Sequence, residues 1–115
     1  MSLEIARSGA DIKAVVGFHP SLPPSPDSKH IKGSVLMCIG TDDPFVSAAD
    51  RAAFERDMSE AGVADWSMEL YGDVGHTFTN PAADLMGIPG LKYDARADAR
   101  SWASMLRLFA ETIDA

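Results

Sequence analysis

The sequence predicts an α/β fold of about three parallel strands with flanking helices, and three observations carry that reading. Short β-rich runs alternate with segments of helical spacing. The run Val35-Leu36-Met37-Cys38-Ile39 is apolar without alternation, as expected of a parallel strand covered on both faces. A strand, a helix and another strand follow in order across residues 34–71, and such a crossover joins parallel neighbours.

Each element has its own local signal. Residues 2–8 read as the end of a helix, with Leu3 and Ala6 three apart and Gly9 as the stop. Residues 12–19 are short, β-rich and closed by Pro20, which predicts a buried strand. Residues 20–27 hold four prolines among eight positions, so they predict an ordered surface loop, a common place for function. The second strand is expected over 34–40. Ser47 then caps a helix to about Ala61, with Phe54, Met58 and Ala61 on its buried stripe and Gly62 at its end. Trp66, Met68 and Leu70 alternate with Ser67 and Glu69, which suits an edge strand. Residues 72–92 read as loop, with a turn at 82–86. Asp94 or a neighbour caps a last helix to about Ile113. Its buried stripe is expected to be Trp102, Leu106, Phe109 and Ile113, with Glu111 and Asp114 on the wet side.

Composition narrows the function classes. Of 115 residues, 46% are hydrophobic and 23% charged, enough for one core-bearing domain over residues 1–115. A net charge of −7, with no basic cluster, argues against nucleic acid. The longest apolar run is far short of the roughly 20 residues a membrane helix needs. Met1-Ser2-Leu3-Glu4 has no apolar signal region. A single cysteine excludes an internal disulfide and fits a reducing compartment. The expectation is a cytoplasmic protein acting on small molecules, with no membrane partner.

Two loops at strand ends carry the chemistry. Gly40-Thr41-Asp42-Asp43-Pro44-Phe45-Val46 follows the buried strand, and Tyr71-Gly72-Asp73-Val74-Gly75-His76-Thr77-Phe78 follows the edge strand. Ligands in open α/β sheets gather beyond the strands' carboxyl ends, so an acid and a histidine from these loops can meet there. An acid bound to Nδ1 fixes the imidazole tautomer and leaves Nε2 free to take a proton. A histidine satisfied by a backbone carbonyl, and an aspartate that merely shapes the turn before Pro44, are the plainer readings of the same residues.

The first loop resembles the Gly-x-x-Asp-x-Phe-Val acid loop of dienelactone hydrolases, and Tyr71 through Pro81 resembles that family's histidine loop. Gly87-Ile88-Pro89-Gly90, Tyr93 to Trp102 and Val15-Val16-Gly17-Phe18-His19-Pro20 are similar to its bacterial members too. The resemblance covers essentially the whole chain. It implies the carboxyl-terminal half of an α/β-hydrolase fold, with Asp43 as triad acid and His76 as general base. Asp42 is the weaker candidate acid. His19, Phe45, Phe78 and Asn80 are candidate substrate-binding residues. Against those roles stand strand-end packing for His19, plain core for the phenylalanines and a turn cap for Asn80. No cofactor or metal is expected. A metal site of His19, His76 and Asp43 lacks any H-x-x-x-H or C-x-x-C support.

One component of the family pattern has no counterpart. In α/β-hydrolases the order is nucleophile, acid, histidine, with the nucleophile on a strand-to-helix elbow. The family nucleophile is cysteine, but Cys38 lies within an apolar strand, where burial keeps a thiol inert. Ser8, in Ala6-Arg7-Ser8-Gly9-Ala10, follows a helix and precedes a strand, the reverse of an elbow. The sequence is therefore expected to be a truncated domain without the elbow and the earlier strands, and inactive alone. The resemblance implies a small-molecule ester or lactone as substrate of the intact enzyme. The alternative is a non-catalytic α/β fragment that self-associates through its open sheet edge, or complements a separate amino-terminal half. A flavodoxin-like ligand module is weaker still, because no phosphate-cradling glycine loop follows a strand.

Overall fold

The computed structural model describes residues 2–113. Its elements run α1 (Ser2–Arg7), β1 (Ala14–Phe18), β2 (Ser34–Gly40), α2 (Ala48–Ala61), β3 (Trp66–Tyr71) and α3 (Ala95–Thr112), with short 3-10 helices at Pro26–His30 and Ala83–Met86. The strands form one parallel sheet in the order β1-β2-β3, with Val16 paired to Leu36 and Met37 to Met68.

Central β2 explains its own unbroken apolar run. Val35, Met37 and Ile39 face one side and join Leu3 of α1 and Phe54 and Met58 of α2. Leu36 and Cys38 face the other, with Val74, Phe78 and Ala97 of α3. Successive strand side chains point to opposite faces, so a strand with a core on both sides must be apolar throughout. At the start of α2, Ser47 accepts from the Asp50 amide at 3.1 Å while Asp50 accepts from the Ser47 amide at 2.9 Å, which satisfies two free helix donors. At its end Gly62 takes φ 73°, a left-handed conformation that costs glycine little.

The proline-rich connection is a loop through Ser25, as expected, and then enters a 3-10 helix. Ser25 caps a 3-10 helix with Pro26 in its first turn, where a missing N–H is no loss. That helix presents buried Ser28 to a polar tie. Arg7 donates to Ser28 Oγ at 2.9 Å, to the Pro23 carbonyl at 2.7 Å and to Asp57 at 2.9 Å, and Ser28 donates to Asp57 at 2.6 Å. Three sequence-distant segments are thereby pinned together, and no buried side-chain nitrogen or oxygen among the described residues is left without a partner.

The last helix corrects the sequence expectation. The residues α3 turns to the sheet are Ala97 and Ser101, with Ser104 and Leu108 beside them, while Trp102, Leu106 and Ile113 are each about half exposed. Phe109 is partly buried and Glu111 exposed; Asp114 lies outside the described residues. The small side chains let α3 approach β1 and β2 closely, and Ser104 bonds Glu69 at 2.8 Å. The large apolar stripe is displaced about 140° around the helix and faces outward. Periodicity identified an apolar stripe but not the direction it faces.

β1 carries β2 on one side, and no described strand pairs with its other edge. No helix among the described residues is long and apolar enough to cross a membrane.

Candidate active site

Two loops leave the carboxyl ends of β2 and β3 and are stitched together by backbone. The Thr41 amide donates to the Tyr71 carbonyl and the Asp42 amide to the Val74 carbonyl, both at 2.9 Å. Gly40 makes this approach possible, since a Cβ there would strike the Val74 carbonyl. Asp43 sits at the tip of the resulting turn with a fully buried side chain. Its Oδ1 accepts from the Phe45 amide at 2.8 Å, and its Oδ2 lies 2.7 Å from His76 Nδ1. A carboxylate can only accept, so Nδ1 carries the proton and donates, and Nε2 keeps its lone pair.

The histidine is held as firmly by its backbone. Its amide donates to the Gly90 carbonyl at 2.8 Å, and its carbonyl accepts from the Lys92 amide at 3.1 Å. Thr77 then adopts φ 57°, a genuine outlier for a β-branched residue, and its hydroxyl bonds the His76 carbonyl at 2.6 Å. Strain of this kind persists only where surrounding contacts fix it, and it gathers at functional sites.

A second histidine completes the rim. His19, just past β1, takes φ 41°, and its amide donates to the Cys38 carbonyl at 2.8 Å. Its Nε2 lies 2.9 Å from the Thr79 hydroxyl, and its ring stands edge-on to His76 with centroids 5.1 Å apart. Burial, reinforced by the neighbouring His76 and partly offset by Asp43, holds its pKa below the usual histidine value. His19 and Thr79 also line a cavity of about 520 Å³ that extends past Pro20 to Arg7 of α1. The cavity follows the β1 side of the molecule.

The profile of the dienelactone hydrolase family matches residues 1–113. The chain belongs to the dienelactone hydrolase family. It is 33% identical over 114 residues to an uncharacterized protein of Caenorhabditis elegans, a match covering 96% of this chain and 72% of that one. Among solved structures it is similar to a dienelactone hydrolase-like promiscuous phosphotriesterase from metagenomic libraries, with 45% identity and a TM-score of 0.90. It is similar to m3DLH as well, at 44% identity and a TM-score of 0.89. Each match covers 96% of this chain and 46% of the other. A putative dienelactone hydrolase from Klebsiella pneumoniae, 19% identical with a TM-score of 0.76, shares the fold. The chain therefore spans about half the length of these solved dienelactone hydrolase-like proteins, as a partial version of their α/β fold.

The other candidate residues divide by environment. Phe45 is 62% exposed and stands edge-on to His76 at 5.0 Å, so it forms an open wall beside the imidazole. Phe78 has no exposed surface; it packs beneath His19 and against Tyr71 as core. The Asn80 side-chain oxygen accepts from the Ala82 amide at 3.0 Å, which caps the turn leading into Ala83–Met86. Asp42 and His30 are exposed. Cys38 is fully buried, and burial pushes its thiol up to about 11, an effect that the nearby Tyr71 hydroxyl only partly offsets. Among the described residues, no group of three or more His, Cys, Asp or Glu could hold a metal ion. Sequence reading missed Thr79 as the partner of His19. It missed Arg7, Ser28 and Asp57 as well, although Ser25-Pro26 does announce the 3-10 helix that delivers Ser28.

Proposed function

We propose that this chain supplies the acid and base half of a dienelactone hydrolase-type ester or lactone hydrolase. Asp43 orients His76 and stabilises its imidazolium, and His76 Nε2 accepts the proton of a nucleophile and later returns it to the leaving group. The observation that carries the reading is the 2.7 Å contact between Asp43 Oδ2 and His76 Nδ1, with Oδ1 locked by the Phe45 amide. The nucleophile and part of the oxyanion hole come from a strand-to-helix elbow outside residues 1–115. Cys38 does not replace it, being buried within β2.

Carboxylic esters and lactones are the first substrate class to test. Phosphotriesters are the second, on the strength of the 45% identical relative. The 115-residue chain alone is expected to leave p-nitrophenyl acetate at the background rate. An elbow-bearing amino-terminal half from that relative, fused ahead of the chain, is expected to restore turnover that His76→Ala abolishes. Turnover by the chain alone that disappears in both His76→Ala and Asp43→Asn would overturn the division of labour. A chimera that folds but is indifferent to His76→Ala would overturn the role of His76.

A second reading rests on the unpaired β1 edge. An open strand edge with its backbone groups unsatisfied recruits a partner strand, whether or not chemistry follows.

A further inference from the structure

The bond from Nδ1 to Asp43 fixes His76 along one line, and a single hydrogen bond leaves a ring free to tilt. Two other rings stand against it. Phe45 is largely open to solvent, whereas His19 meets the imidazole edge-on at 5.1 Å and is itself backed by fully buried Phe78 at 5.2 Å. His19 is held at two points. Its amide bonds the Cys38 carbonyl, and its Nε2 bonds the Thr79 hydroxyl at 2.9 Å. A hydroxyl can donate or accept, so that bond serves either neutral tautomer of His19. Thr79 lies three residues beyond His76 in the same loop, so the end of β1 and the loop carrying His76 are tied side chain to side chain. Apolar packing alone needs neither an imidazole at position 19 nor a hydroxyl 60 residues away to meet it.

We propose that His19 and Thr79 are positioning residues for His76: Thr79 anchors the His19 ring, and that ring braces the imidazole so that Nδ1 stays on Asp43 and Nε2 stays free. The role deepens the acid–base reading above and rests on it. It differs from substrate contact, because Nε2 of His19 is engaged by the loop. Charge suits the same role. Burial first, and then the neighbouring His76, hold the pKa of His19 below the usual value, so the brace is neutral near pH 7. A cation there would oppose an imidazolium at His76, whose ring centre is 5.1 Å away. The charged and titratable groups around His19 are His76 and Asp43 on the two loops and, along the cavity, Glu4 and Arg7 of α1, with Arg7 already paired to Asp57.

The test reads the imidazole nitrogens of the 15N-labelled full chain in long-range 1H–15N spectra near pH 7.5. Wild-type His76 should show the Nδ1–H tautomer. Thr79→Val, close in shape but without the hydroxyl, should mix in the Nε2–H tautomer at His76, and Thr79→Ser should restore the wild-type signals. His19→Asn, a residue that tolerates the positive φ here, should give the same mixing by removing the ring. His76 signals that stay fixed in both Thr79→Val and His19→Asn would end the proposal. In the fused chimera, Thr79→Val should lower kcat about tenfold with KM unchanged, the mark of a misplaced base, and Thr79→Ser should recover it. A raised KM with kcat intact would make the pair a substrate contact instead and overturn the positioning role. A chimera that turns over no ester, while the tautomer still responds to Thr79→Val, leaves the brace standing and removes the functional reading. Wild-type His76 without the Nδ1–H tautomer would sink both.

Discussion

The rim where the Asp43 and His76 loops meet and the flank formed by β1 and α3 are built to opposite specifications. At the rim, the buried polar groups find partners within the described residues: Asp43 has two, and the His76 backbone is bonded on both sides. On the flank, a strand edge lacks a neighbour among the described residues and a charge-free helical stripe meets solvent. The Asp43–His76 pair is thus assembled from loops joined by one crossover, whereas the flank is left open among the described residues. Half a fold can carry a complete hydrogen-bonded dyad because the dyad's supports come from adjacent strands.

The sharpest way to break this comparison is to truncate one large aromatic in the closed core and one on the open flank. Phe54 is fully buried, and Phe54→Ala is expected to cost about 3–5 kcal/mol in urea denaturation. Trp102→Ala, on the open stripe, should change stability by no more than about 0.5 kcal/mol. A large loss at Trp102 would mean that the stripe already has a partner. At the rim, Asp43→Ala strips acceptors from both the Phe45 amide and His76 Nδ1, for an expected loss of about 1–3 kcal/mol by the same assay. Asp43→Asn, which keeps an acceptor for the amide, should lose less.

Two smaller effects follow from titration. His19 has a folded pKa below its unfolded value near 6.5, so between the two the unfolded chain binds more protons. Stability should therefore rise with pH through that window and decline as pH falls below about 6.5. His19→Gln should flatten this part of the profile, and an unchanged slope would show that His19 does not produce it. Cys38, pushed up to about 11, is expected to ignore a thiol-specific disulfide reagent at pH 8 until the protein unfolds. Rapid labelling of the folded chain would place the thiol outside the core.

Much of this was legible in the linear order of residues, for definite reasons. β2 and β3 were expected over the ranges they occupy, because an unbroken apolar run and a strict alternation each have one simple explanation in a sheet. Ser47, Gly62 and Asp94 marked helix ends through capping chemistry, which acts within three or four residues. Asp43 and His76 stood out through their loop motifs. Thr79 did not, since its bond to His19 spans 60 residues and leaves no local trace. The tie between Arg7 and Asp57, 50 residues apart, was invisible for the same reason.

The sequence by itself determined the strands, the caps and the pair of loops that carry an acid and a histidine. Those features are written in nearest-neighbour chemistry and in periods of two or 3.6 residues. Only the tertiary structure decided which way α3 turns. Its most apolar stripe faces outward because Ala97 and Ser101 allow close contact with the sheet, and nothing else among the described residues covers that flank. Periodicity gives the width of a helical face; its direction depends on which surfaces the rest of the fold provides.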